Sequence, residues 1–82
     1  MASKRTFHEI RDIILYNLAN GKKTAHQIST ETGIGWKTVN NHLTYLIGIG
    51  MIKVIFSNNH MKVVELSEQG RAYIEAKGGQ PK

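Results

Sequence analysis

Between Thr24 and Ile52 the chain holds two short helices and the start of a strand, hinged on Gly33-Ile34-Gly35. Thr24 with Gln27 three residues on is a capping box, in which hydroxyl and amide satisfy each other's free backbone N–H groups, so a helix opens at Ala25. Gly33 ends it near Thr32, because the positive φ of a helix stop is cheap only for glycine. A second helix, 36–47, repeats Val39, Leu43 and Leu46 at helical spacing. Ile34 then plugs the angle between the two. An apolar strand start follows at Ile52, the layout of a helix-turn-helix entering a wing.

The remaining sequence holds two more helices and a hairpin. Thr6 and Glu9 form another capping box, opening a helix over 7–20 that stops at Gly21. Phe7, Ile10, Ile14 and Leu18 make its core stripe, with Ala25, Ile28 and Thr32 facing inward from the next helix. Residues 51–56 and 62–66 are rich in β-branched and aromatic residues and flank Ser57-Asn58-Asn59-His60-Met61, the pattern of a β-hairpin. Ser67 caps a last helix reaching about Lys77, with Ala72, Tyr73, Ile74 and Ala76 apolar. A short extra strand fits at 22–24. The expected fold is α+β, in the order α1-α2-α3-hairpin-α4. Residues 1–5 are expected to fray and 78–82 to form a disordered tail, leaving 6–77 as one domain.

Ile13, Leu15 and Tyr16 make the first helix apolar almost all round. In a chain of 82 residues nothing else is large enough to bury it, and a core this small rarely supplies more than about 3–5 kcal/mol. Self-association through this helix and the last one, by Ile13, Leu15, Tyr16, Tyr73 and Ile74, is therefore expected.

Charge narrows the partner. The net charge is +5 and the pI about 9.8, which attracts polyanions. From Asn20 to Lys62 there are five basic residues, Lys22, Lys23, Lys37, Lys53 and Lys62, against one acid, Glu31. A solvated basic surface without a ligand would have the same charge, so the pattern of polar groups has to decide.

Once Val39, Leu43 and Leu46 turn inward, the third helix shows Lys37, Thr38, Asn40, Asn41, Thr44 and Tyr45. Ordinary solvated helices favour Glu and Lys; Asn and Thr are poor helix formers and cost stability here. Asparagine can donate to and accept from an adenine edge at once, and threonine can contact a base or a thymine methyl. The set Lys37, Thr38, Asn40, Asn41 and Thr44 is therefore expected to read bases in double-stranded DNA. Trp36 either stacks on a sugar or packs on the hairpin or second helix. His42 either meets a phosphate or is a satisfied boundary histidine. Tyr45, Lys22, Lys23, Thr24 and the hairpin's Lys53, Asn58, Asn59, His60 and Lys62 are expected along the sugar–phosphate backbone or in the minor groove.

Catalysis has no footing. His8, His26, His42 and His60 sit singly on different elements, without the short spacing of a zinc site, and there is no cysteine. No carboxylate pair is placed for acid–base work, and Gly33, Gly35, Gly48 and Gly50 read as turn residues rather than a phosphate loop. Neither an enzyme nor a metal, cofactor or small-molecule ligand is expected. No apolar run approaches the ~18 residues that span a bilayer.

Three segments carry a family resemblance. Lys37 to Leu46, K-T-V-N-N-H-L-T-Y-L, looks like the recognition helix of the arsenic-repressor-like regulators, where T-V-S-x-H-L-x-x-L is common. Leu46 to Ile52 is similar to their leucine, glycine and strand-entry signature. Leu66-Ser67-Glu68-Gln69-Gly70-Arg71 looks like the L-T-E-K-G start of the helix after the wing in many small regulators, notably archaeal ones. The chain thus resembles the winged helix-turn-helix transcription regulators over residues 7–76. The resemblance implies a homodimer on a two-fold operator, with helix 36–47 in the major groove and wing 52–66 on flanking DNA. An intracellular, nucleoid-associated location follows from that expectation. The metal-binding cysteines of metal-sensing members are absent, so metal sensing is not carried over. Two alternatives stay open: an architectural, sequence-indifferent DNA-binding protein, and a winged-helix protein-interaction module.

Overall fold

A computed structural model describes residues 6–77; the expectations for 1–5 and 78–82 lie outside the described residues. Four helices surround a three-stranded antiparallel sheet: α1 (Phe7–Asn17), β1 (Lys23–Thr24), α2 (Ala25–Thr32), α3 (Trp36–Gly48), β2 (Ile52–Ser57), β3 (Lys62–Leu66) and α4 (Glu68–Ala76). Both capping boxes are formed: the Thr6 hydroxyl accepts from the Glu9 N–H at 3.0 Å, and that of Thr24 from the Gln27 N–H at 2.9 Å. Ser67 caps α4 by accepting from the Gly70 N–H. Gly33 ends α2 at φ 76°. The first helix differs from the expected 7–20 only in its last turn, which tightens into a 3₁₀ segment, Leu18–Asn20, before Gly21.

The sheet order is β1-β3-β2. Lys23 lies opposite Val64 and Thr24 opposite Val63, so the expected extra strand is real and docks the start of α2 beside the hairpin. In the wing, Val54 faces Val64 and Phe56 faces Val63; Ile55 between them is a bulge. An extra residue there adds twist and bends the free edge strand, which guards it against pairing with other chains.

One core joins all layers: Ile14, Leu15 and Leu18, then Ala25, Ile28 and Ile34, then Val39, Leu43 and Leu46, and finally Ile52, Val64, Leu66 and Ile74. This corrects two expectations. Leu15 is 0% and Ile74 3% exposed, so the chain's own core covers them and neither can belong to a subunit contact. The first helix is buried without a partner because it packs on α2, α3 and α4 at once. Ile13, Tyr16 and Tyr73 are half-buried against the same core. Phe7, expected in the core stripe, is 44% exposed; it lies at the first turn of α1, beyond the reach of the core, and packs on α3 instead.

Candidate nucleic-acid interface

The side of α3 facing away from the core carries Lys37, Asn41 and Thr44, all exposed. Their spacing of four and three residues puts them on one stripe. Lys37 and Asn41 make no side-chain hydrogen bond among the described residues, so an ammonium and a whole amide are presented to solvent. The Thr44 hydroxyl donates to the Asn40 carbonyl at 3.1 Å, which leaves its lone pairs and methyl outward. The two other expected readers diverge from this stripe. Asn40 is half-buried, its amide donating to the Trp36 carbonyl at 3.2 Å, and it turns toward the wing. Thr38 is half-buried, on the side of α3 that carries His42.

His42 is corrected from a phosphate contact to a packing residue. It is 8% exposed, its ring lies 4.7 Å from that of Phe7, and its Nδ1 donates to the Thr38 carbonyl at 3.1 Å. The carbonyl can only accept, which puts a proton on Nδ1. Tyr45 meets Phe7 edge-on at 5.0 Å and keeps 43% of its surface exposed. Phe7, His42 and Tyr45 thus pin the start of α1 to the second half of α3, fixing how the outer stripe is aimed.

Three backbone candidates are also occupied. The Lys23 ammonium lies 2.6 Å from Glu31 Oε1 and its side chain is mostly buried, so it is spent inside the fold. Glu31 accepts from the Asn17 amide as well; the Lys23 bond first, then that of Asn17, holds its carboxyl below the usual range. The Thr24 hydroxyl is taken by the helix cap. Asn58 Oδ1 accepts the backbone N–H groups of His60 and Met61 at 2.7 and 2.8 Å, which shapes the wing tip. Lys53 pairs across the strands with Glu65 at 3.4 Å while staying largely exposed. Lys22, Lys37 and Lys62 have no ion-pair partner among the described residues.

Between α3 and the wing runs a cleft of about 390 Å³, lined by Trp36 and Asn40 on one side, Ala25 and His26 below, and the wing tip from Ser57 to Lys62 on the other. Trp36 is 59% exposed, so its indole lines this cleft and is not packed into the core. Asn59, His60 and Lys62, expected on the backbone, gather here. His26 and Met61 were missed in the sequence. His26 looked like one more isolated histidine; the signal was its place just after the α2 cap, which the β1–β3 pairing brings beside the wing.

A helix pair with a polar outward stripe, flanked by a two-stranded wing and a basic cleft, defines a winged helix-turn-helix domain. Residues 8–54 match the model of the bacterial regulatory protein arsR family, and the chain belongs to that family of transcription regulators, which are not enzymes. The fold is similar to NMB1585, a MarR family regulator from Neisseria meningitidis, with 25% identity, a TM-score of 0.74 and coverage of 83% of this chain and 50% of that one. It is similar also to the transcriptional regulator HlyU from Vibrio vulnificus (20%, TM-score 0.73, 85% and 73% covered). The transcriptional repressor BigR from Xylella fastidiosa gives 21%, 0.72, and 85% and 69%. The chain spans half the length of the meningococcal regulator. No curated protein matches the sequence. Among the described residues no acid, histidine or cysteine cluster could hold a metal ion, and no helix is long and apolar enough to cross a membrane.

Proposed function

We propose that this chain regulates transcription by binding a specific duplex site as a homodimer, one α3 per half-site in the major groove. The single observation that carries the reading is the outer stripe of α3. Lys37 and Asn41 stand exposed and unengaged on a helix whose opposite face, Val39, Leu43 and Leu46, is committed to the core, and a bidentate amide there suits an adenine edge. Thr44, with Asn40 and Thr38 at the stripe's margins, completes the reading face. The backbone grip comes from Lys22, Trp36, Asn59, His60 and Lys62, with Lys53 and Tyr45 at its edges. The second copy docks on the side of α1 and α4, where Ile13, Tyr16 and Tyr73 stay half-buried. This reading sets the protein beside chromosomal DNA inside the cell.

Selection of bound duplexes from a random pool tests it. Enriched sequences should hold a palindrome with half-site centres about one helical turn apart. On that site Asn41→Ala should cost about 1–3 kcal/mol while affinity for random duplex is spared. Lys62→Ala should weaken all duplexes alike and flatten the salt dependence by about one unit. A pool without enrichment at matched salt would favour sequence-indifferent binding; equal losses for Asn41→Ala on both duplexes would refute base readout.

A further inference from the structure

The cleft beside α3 carries a property that base readout does not need. Its titratable lining is His26 from α2 with His60 and Lys62 from the wing, and no carboxylate takes part. The acids on the surrounding elements are turned to other partners: Glu31 of α2 to Lys23 and Asn17, Glu65 of β3 to Lys53. On α3 the titratable groups are Lys37, His42 and Tyr45; none lines the cleft, and α3 has no acid. Trp36 and Met61 supply exposed apolar surface between these polar groups. An anion with an apolar body fits such a lining, and a sugar–phosphate strand has that chemistry.

We propose that the cleft seats one backbone strand of duplex DNA, the sugar against Trp36 and Met61 and a phosphate between His26, His60 and Lys62, so that binding takes up protons on the two imidazoles. The inference rests on the DNA-binding function proposed above. Imidazole changes charge between about pH 5 and 8, and a nearby anion favours its charged form. The bound state holds more protons than the free state, so affinity is greatest on the acid side and is lost as pH rises. The Asx turn closed by Asn58 fixes the backbone of His60 and Met61, so the wing tip is held ready to meet the strand.

The test is duplex affinity by fluorescence anisotropy from pH 6 to 8 at constant ionic strength. For the unaltered chain the dissociation constant should rise about ten-fold over that range, and His26→Gln/His60→Gln should cut the change to less than about two-fold. His8→Gln, at an exposed position of α1 away from the cleft, should keep the full pH dependence. Lys62→Gln should weaken binding at every pH and leave the slope in place. Circular dichroism checks that each variant is folded; should the double variant unfold, the single substitutions should each halve the slope on a logarithmic scale. Duplex binding that ignores pH, or a slope that survives in the double variant, overturns the proton linkage alone. A chain that binds no duplex at any pH overturns the DNA reading with it.

Discussion

Leu15 and Glu31 show how single side chains are committed in this fold. Leu15 looked like surplus apolar surface on α1, yet it is wholly buried among α1's neighbours. Leu15→Ala should therefore lower the unfolding free energy by about 2–5 kcal/mol, read by urea denaturation, at every protein concentration. A core role excludes the alternative outcome, in which only the association constant falls. Glu31 is the one acid of the central basic stretch. Its carboxyl is held below the ordinary value of 4.5 by Lys23 and Asn17. A lowered folded value means that the charged form stabilises the fold above about pH 4.5 and that this stabilisation is lost as pH falls through the folded value. Thermal melts at pH 7 should favour the unaltered chain over Glu31→Gln, and the difference should vanish in acid. His42 was open between phosphate and boundary in the sequence; the position before a core leucine does not say which flank of the helix α1 will cover. Lys23 was misread for the same reason, since Glu31 reaches it only once α2 folds back along β1.

Elements were far more legible than contacts. Capping boxes at Thr6 and Thr24 and the glycine at 33 set helix ends through local chemistry, so the sequence could place them. The change from period 3.6 to β-branched runs after Gly50 located the wing. The bulge at Ile55 was not legible, because register depends on which residues meet across strands. Gly70 is an element-scale case with opposed terms. Alanine there would add about 1 kcal/mol of helix propensity to α4. A Cβ, however, would overlap the Met51 carbonyl oxygen and press on Leu66. Backbone cannot yield as a side chain can, so the overlap wins: Gly70→Ala should destabilise by about 1–3 kcal/mol net, measured by chemical unfolding. Gly48, at the end of α3, has nothing within 4 Å of its added Cβ. Gly48→Ala should then stabilise by up to about 1 kcal/mol. Opposite signs at two helical glycines would confirm that close approach, not glycine itself, is what α4 requires.

At the scale of the molecule, fold class and the exposed polar stripe of α3 were readable from polar and apolar periodicity. The cleft was not, because it is built from α2, α3 and the wing, which are brought together only by the β1–β3 pairing. Assembly belongs to this scale too. The burial of Leu15 and Ile74 narrows the proposed subunit contact to the half-buried Ile13, Tyr16 and Tyr73. Ile13→Arg should leave a folded chain of single mass in sedimentation equilibrium, where the unaltered chain shows twice that mass. It should bind an isolated half-site as before and lose the gain from a second half-site. A folded variant that still doubles its mass would move the contact elsewhere.

The aim of α3 is tested most directly by nuclear magnetic resonance during titration with the selected duplex, following backbone and side-chain amides together. The side-chain amide of Asn41 and the backbone of Lys37, Asn41 and Thr44 should shift most, followed by the wing tip, with the outer sides of α1 and α4 unchanged by the DNA itself. Large shifts on α1 and α4 with the Asn41 amide left in place would contradict a major-groove role for this helix.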